Sequence, residues 1–461
     1  MAAKLSSFFM GIGKGFRHFF MYFIQGDLPT KLSYLIMGAG CFLRGQIVKG
    51  LLYLAVQAGY ILYLVNFGAA YVAKLDTLGD VTQTKEFDPA LGFSVIKPGD
   101  NSMLILLYGV FSLLLGVVVL VLYLRNIKEA WENQQAVAAG NRLPGFRDDV
   151  RELFNRRFHV TVLSVPTVLT ILFTVVPLIF MILMAFTNYN REHQPPGNLF
   201  TWVGTENFSQ ALWGNPLWSR TFLKLFLWTM VWAFFATFLN YIFGILLALL
   251  INQKGVKGKK FWRTVFITTV AVPQFVSLLL ISKFLHDQGA LNNILQNLGI
   301  IDSPMPFLSN GTVAKVTVII VNLWVGIPYT MLISSGVLMN IPEDLYEASK
   351  IDGASGAKQF FNITMPYMLQ VTTPYLITQF VGNINNFNVI YLLTAGDPKS
   401  LSLYQAGETD LLVTWLYKLT VNEQNYALAS TIGIFIFVIC AVVSLLTYNR
   451  SKAVQEEDRF Q

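Results

Sequence analysis

Asn322, Gly326 and Tyr329 are spaced i, i+4, i+7, so they share one face if the segment is helical. Gln379, Asn383 and Asn386 repeat that spacing in a later segment, with Asn385 and Asn388 beside them. A carboxamide offers both donors and an acceptor, and a tyrosine ring offers an apolar plate. The combination suits a neutral solute rich in hydroxyls, such as a sugar, and Gly326 and Gly382 would leave room for it. Each amide has a plainer reading as a hydrogen bond between helices, worth about 1 kcal/mol. That reading competes at every single position. Two such faces on successive segments favour a solute path.

The elements that must hold these residues are membrane helices. Hydrophobic residues make up 54% of the 461, charged residues only 13%, and there are 37 phenylalanines. The apolar residues are blocked into runs long enough to cross about 30 Å of hydrocarbon at 1.5 Å per residue. Eight spans are predicted, near 49–73, 103–124, 160–187, 221–252, 264–285, 314–340, 366–395 and 426–449, an all-α polytopic chain. Basic residues alternate between the connections. Arg125, Lys128, Arg142, Arg147, Arg151, Arg156 and Arg157 lie in 125–159, and Lys254, Lys257, Lys259, Lys260 and Arg263 in 253–263. The stretch 286–313 has no lysine or arginine. The positive-inside rule puts both termini in the cytoplasm, and with them 341–365. The net charge of +7 is therefore topological, which makes nucleic-acid binding the weaker reading. Cys41 and Cys440 lie in apolar or interfacial stretches, unlike a disulfide framework. Lys4, Lys14 and Arg17 interleave with Phe8, Phe9, Ile12, Phe16, Phe19, Phe20 and Phe23. This predicts an amphipathic anchoring helix on the inner leaflet; without a small-residue cleavage site it is not expected to be a signal peptide. The connections 74–102 and 125–159 read as ordinary connectors or small caps.

Several chemistries lack their signatures. No Gly-x-x-x-x-Gly-Lys-Ser/Thr occurs, and Gly11-Ile-Gly-Lys-Gly15 is a weak look-alike inside the amphipathic stretch. The four histidines have no zinc-protease spacing, and no Gly-x-Ser-x-Gly elbow is present. A membrane enzyme is poorly supported. The spans carry no charge near their centres; Lys224, Lys283 and Lys315 lie near helix ends, where they can snorkel. Ion-coupled pumps keep costly intramembrane charges for function. Uphill transport here must draw its energy from another protein.

The segment Ile341–Pro366 is where that protein would act: a polar, acidic, helix-forming island between two hydrophobic runs. Pro342, Glu343 and Asp344 suit a helix start. Leu345, Ala348 and Ile351, with Tyr346, give it a short apolar face, and Asp352-Gly353 signals a turn with positive φ or a close approach. A second short helix with Phe360, Phe361 and Ile363 would lead to Pro366, which opens the next span. Two helices joined at a glycine make a knob for a protein groove, or a hairpin that merely caps the bundle.

Glu347-Ala348-Ser349, Gly353, Ile363 and Pro366 resemble the "EAA" loop of ABC importer permeases. Over roughly 160–450 the chain resembles MalF-type permeases of maltose/maltodextrin importers, through Val321-Asn-Leu-Trp-Val-Gly-Ile-Pro-Tyr329, Asp344-Leu-Tyr-Glu-Ala-Ser349, Asn383-Ile-Asn-Asn-Phe387 and Tyr391-Leu-Leu-Thr-Ala-Gly396. The resemblance implies a type I importer permease fold, with 1–150 as an N-terminal part and 151–461 as a six-helix core. It implies that Glu347, Ala348, Ser349, Asp352 and Gly353 couple to a cytoplasmic ATPase, Glu347 meeting a basic group there. It carries the family's sugar site onto Val270, Gln274, Asn322, Val325, Gly326, Tyr329, Gln379, Gly382, Asn383, Asn386 and Asn388. Asn322, Gly326, Tyr329, Asn383 and Asn386 keep the family residue; the other six differ. Implied partners are a second homologous permease, two ATPase chains and an external solute-binding protein. ATP and Mg would sit on the ATPase, and no cofactor on this chain. The 188–220 connection is too short for the folded insertion some relatives carry, a shape resembling versions from bacteria without an outer membrane. Rival readings are an importer of another neutral solute such as a galacto-oligosaccharide, a passive channel or membrane enzyme, or a sensing subunit.

Overall fold

Asparagines and prolines at segment starts set where the long helices begin. Asn101 accepts hydrogen bonds from the Met103 and Leu104 amides, Asn215 from Leu217 and Trp218, and Asn310 from Thr312 and Val313. Pro216 occupies the first turn that follows Asn215, where a missing N–H costs nothing. The computed structural model describes residues 15, 17–89, 92–253 and 255–450. The helices that build the spans and the site are α1 (Ile47–Val72), α2 (Ser102–Ala138), α3 (Phe158–Met184), α4 (Pro216–Asn252), α5 (Lys259–Ala271), α6 (Gln274–Phe284), α7 (Gly311–Leu338), α8 (Glu343–Ile351), α9 (Met365–Ile384), α10 (Phe387–Thr394), α11 (Leu412–Val421) and α12 (Tyr426–Arg450), with shorter helices between some of them.

Among the described residues, six of these helices are long and apolar enough to span a membrane: α1, α2, α3, α4, α7 and α12. The fifth predicted span is not one rod. α5 and α6 meet at Val272-Pro273 with a bend of 87°. Pro273 has no N–H, and Val272 before it is extended at φ −76°, ψ 126°, as the residue preceding a proline prefers. The remaining predicted span falls on α9, whose 20 residues would reach about 30 Å but which is not among the helices apolar enough to pass as a span. It is less apolar because it holds the amide cluster, and it ends at Ile384, short of the predicted 395.

Contact density divides the chain at Trp202/Val203, so α3 groups with the N-terminal helices by contact. In the first unit, residues 17–25 are helical, while Lys4, Phe8, Phe9, Ile12, Lys14 and Phe16 of the expected amphipathic helix lie outside the described residues. The 37-residue α2 extends well beyond a bilayer, and its last turns support the short segments before α1. Asn126 accepts from the Gly38 amide at 2.8 Å, and Glu129 takes Lys49 at 2.6 Å and the Tyr53 hydroxyl at 2.9 Å. The connection 74–102, expected to be an ordinary connector or a small cap, contains an antiparallel hairpin, β1 (Thr84–Asp88) on β2 (Phe93–Lys97).

In the second unit α4 is the central post. It buries 44% of its most apolar window inside the chain, against 6% for α3, which leaves the latter to lipid or a partner. Gly244 lets α4 and α7 touch: a Cβ there would come within 2.5 Å of the Thr330 Cβ. Trp228, Trp232 and Ala236 of α4 pack with Leu278, Val318, Val389 and Ile390 in one buried cluster. Leu225, Ala233, Trp415, Leu428 and Ile432 form another. Between α10 and α11, Glu408 bridges Lys224 at 2.5 Å and Lys315 at 2.9 Å, tying this connection to the first turns of α4 and α7.

Candidate functional site: an amide-lined cavity and a helical knob

The bend at Pro273 and the end of α9 both open onto one cavity of about 480 Å³ in the second unit. Its wall comes from α4, the α5–α6 bend, α7 and α9, ending at Asn386 beyond α9. A bend suits this place, because backbone freed from helical pairing is tolerated at membrane depth only beside a cavity or inside protein. Nine of the eleven residues assigned by resemblance line it: Val270, Gln274, Asn322, Val325, Gly326, Tyr329, Gln379, Asn383 and Asn386. Gly382 and Asn388 do not line it and are exposed. The buried residues of α10 are Val389, Ile390, Leu393 and Thr394, which leaves Asn388 off its packed face.

The shared helical face expected for Gln379, Asn383 and Asn386 is corrected by the structure. α9 stops at Ile384, Asn385 is its C-cap, and Asn386 is the N-cap of α10, accepting from the Val389 amide at 3.2 Å. Asn386 reaches the wall through that break. Its Nδ2 donates to Asn383 Oδ1 at 3.3 Å, and Asn383 Nδ2 donates to the Thr237 hydroxyl at 3.0 Å. The Trp232 indole donates to the Asn383 carbonyl at 3.1 Å, satisfying one of the acceptors a helix end leaves open. Asn383 is thus both a strut between helices and part of the wall. Tyr329 is 51% exposed, in keeping with a ring presented to a visitor.

Sequence reasoning passed over Thr237, Asn240, Tyr241, Trp324 and Tyr375, which also line the cavity. A signal existed, since Thr237, Asn240 and Tyr241 are polar residues inside an otherwise greasy span. Which side of the span they occupy was not readable without its neighbours.

The second locus is the knob. α8 begins after Pro342 with Glu343 and Asp344 in its first turn and Lys350 in its last, the arrangement a helix dipole favours. It closes on Gly353 at φ +72°, the Ala354 amide donating to the Ser349 carbonyl at 2.9 Å and the Gly353 amide to Lys350 at 3.0 Å. This is the Schellman closure, which places a left-handed residue where glycine carries no penalty. The second helix is not a separate piece. The backbone is helical from Gly356 through a π turn at Phe360–Thr364 into α9. A wider turn suits this point, because the Pro366 ring would strike the carbonyl four residues back.

Two side-chain links clamp α8 to that helix: the Tyr346 and Thr364 hydroxyls at 2.8 Å, and Gln359 Nε2 donating to Ser349 Oγ at 2.8 Å. Ser349 is therefore half-buried as an internal strut, while Glu347, Ala348, Asp352 and Gly353 stay exposed. Leu345 is 48% and Ile351 88% exposed, an apolar strip with acidic residues beside it.

Comparison with known proteins places these features in context. Residues 240–455 match the family described as binding-protein-dependent transport system inner membrane component. The chain is 34% identical to the galactooligosaccharides transport system permease protein GanP of Bacillus subtilis, over 94% of this chain and all of that one. It is 33% identical to the maltodextrin transport system permease protein MalC of Streptococcus pneumoniae, over 94% of this chain and 99% of that one. Among solved structures, a chain of a bacterial ABC transporter that imports alginate superposes with a TM-score of 0.54 at 23% identity, covering 66% of this chain and 98% of that one. This last likeness speaks for the fold.

Proposed function

Because the chain belongs to the binding-protein-dependent transport inner membrane component family, we propose that its amide-lined cavity is the station where a neutral oligosaccharide of the maltodextrin type crosses the membrane. The protein is a multi-pass permease subunit of an ABC importer for oligosaccharides, and the ATPase of such a system is a separate subunit. The observation that carries the solute reading is the cavity, where Asn322, Gln379, Asn383 and Asn386 offer donors and acceptors beside the Tyr329 ring. Its volume lies within the ~300–1,000 Å³ of ordinary ligand sites. A wall of amides without charge matches hydroxyls and gives a charged solute no counter-ion.

The knob at 341–366 supplies the energy link. Its exposed strip of Leu345, Ala348 and Ile351 is the face a groove on the ATPase would cover, with Glu347 positioned for a basic partner group. ATP and Mg belong to that ATPase. A second homologous permease and an external solute-binding protein complete the assembly, with both termini of this chain in the cytoplasm on the evidence of its basic connections. ATP binding draws the knobs together and turns the bundle outward to receive sugar; hydrolysis returns it.

A second reading keeps the same architecture and changes the sugar to a galacto-oligosaccharide, as full-length identity to the Bacillus subtilis permease is as high as to the maltodextrin permease. The test is uptake by the reconstituted complex across labelled maltose, longer glucans and galacto-oligosaccharides. Uptake confined to the glucans supports the proposal. Uptake confined to galactosides overturns it in favour of the second reading.

A further inference from the structure

The connection from α2 to α3 contains an amphipathic helix, Phe146–Phe154, whose apolar face is left open by the described residues. Phe146, Val150 and Leu153 stand at i, i+4, i+7 with Phe154 beside them, so they share one face. Phe146 is 52%, Leu153 41% and Phe154 64% exposed. At about 100° per residue, Arg147 and Arg151 border this face on one side, while Asp148, Asp149 and Glu152 turn to the other.

The acidic residues are all engaged within the chain. Asp148 accepts from the Gly145 amide at 2.9 Å, Asp149 pairs with Lys49 at 3.1 Å, and Glu152 with Arg157 at 2.8 Å. Arg142, Arg147, Arg151 and Arg156 are exposed and pair with no described residue. The charge left over is therefore positive, and it borders an apolar strip.

The place of this helix says what covers it. At one end Gln46 Nε2 donates to the Pro144 carbonyl at 2.9 Å and Lys49 reaches Asp149, and Gln46 and Lys49 bracket the start of α1. At the other end the Thr161 hydroxyl of α3 donates to the Leu153 carbonyl at 2.8 Å. The helix is thus tied to the first turns of two membrane-spanning helices. Both expose apolar residues there: Ile47, Val48 and Leu51 of α1, Phe158 and Val160 of α3. A helix held at that level lies where hydrocarbon gives way to headgroups. Its phenylalanines can enter the acyl boundary while its arginines stand at phosphate height. A guanidinium fork matches two oxygens of a phosphate.

We propose that Phe146–Phe154 is an in-plane, lipid-binding strap. Phe146, Leu153 and Phe154 dip into the leaflet. Arg147, Arg151 and, from the link into α3, Arg156 bind the phosphates of anionic lipid headgroups. The strap requires α1 and α3 to cross the membrane and is independent of which solute passes. Lipid is preferred to a protein partner because the helix is tied to two span ends and its unpaired charge has one sign.

The test uses the full importer complex in nanodiscs, with Cys440→Ala and a fluorophore attached at Phe154→Cys. Cys41 is buried and stays unlabelled, and the partner chains are made cysteine-free. The probes, titrated separately, are phosphatidylglycerol and phosphatidylcholine bearing the same nitroxide high on an acyl chain. Both quench the fluorophore, and phosphatidylglycerol does so at about one fifth of the concentration, the factor for one arginine at an anionic surface. High salt narrows the gap. Combining Arg147→Gln, Arg151→Gln and Arg156→Gln brings the two lipids level, whereas lysine at all three positions keeps most of the preference. Should the triple glutamine variant fail to assemble, Arg147→Gln and Arg151→Gln singly carry the comparison, each losing part of the preference.

If neither lipid quenches, water or a protein surface covers the face and the proposal falls. Equal quenching by both lipids in the wild type, or a preference that survives the glutamine changes, removes these arginines from lipid recognition and overturns it as well. Nanodiscs expose both membrane faces, so the result does not depend on the sidedness proposed above. A complex that takes up no sugar at all still reports the strap by the same quenching.

Discussion

Replacing Gly353 in turn by Asn, Ala and Val asks whether the knob depends on a backbone conformation or on a small side chain. Gly353 sits at φ +72°, and a Cβ built there meets no atom within 4 Å. Any cost within this chain is therefore conformational and not a clash. An L-residue in the left-handed region loses roughly 1–2 kcal/mol, with Asn at the low end and β-branched residues at the high end. If the turn opens, the two closing bonds from Gly353 and Ala354 are lost as well. These are solvent-exposed, worth about 0.5–1.5 kcal/mol each. The expected order of damage is Asn, then Ala, then Val. Valine should shift the turn equilibrium by about 2 kcal/mol, near 30-fold. The assay is the affinity of the purified ATPase for permease variants in nanodiscs, read beside ATP-driven sugar uptake. A ranking by size, with Ala milder than Asn, would refute the conformational argument and assign the glycine to close contact with the partner. Wild-type uptake by the Val variant would remove the turn from the coupling path.

Ser349→Ala deletes the oxygen that accepts from Gln359 and donates to the Tyr346 carbonyl, so the knob should loosen by about 1 kcal/mol and ATPase affinity fall several-fold; Gln359→Leu should do the same, and the double variant little more. Asn386→Leu removes the α10 cap and should lower thermal stability by about 1 kcal/mol, while Asn386→Asp restores the cap without restoring transport, as it cannot donate to Asn383. Recovery of both by Asp would make Asn386 a cap alone. Burial pushes the Glu408 carboxyl up, yet hydrogen bonds from Lys224 and Lys315 outweigh it and hold the group at about 2, below its ordinary 4.5. A depressed folded value means its stabilisation is complete above pH 4.5 and lost as pH falls through about 2. Melting curves of wild type and Glu408→Gln should therefore converge across that window, and parallel curves would count against the bridge.

What the sequence by itself determined follows from rules that act along the chain. Hydropathy placed the long spans, since crossing a bilayer needs length and apolarity whatever the neighbours are. Local stereochemistry marked the knob: Pro342 before α8, acids in its first turn and Gly353 at positive φ all belong to the residues next to them. Resemblance to a known family led to nine residues of the cavity wall, Asn322, Gly326, Tyr329, Gln379 and Asn383 among them also marked by their spacing. Other features required the tertiary structure. A Val-Pro pair signals a break, but its 87° angle is set by what α5 and α6 pack against. The end of α9 at Ile384 is stabilised by Trp232, a residue far away in the chain, and this end brings Asn386 to the wall where helical periodicity alone misassigned it. Ser349, assigned to the ATPase contact by resemblance, also accepts a hydrogen bond from Gln359, a role visible only in the fold. Asn240 was one amide in an apolar run until the crossing of α4 and α7 set it against Gly326 in the cavity wall. Sequence periodicity defines the faces of a helix, but only packing fixes its rotation and so decides which face meets the solute.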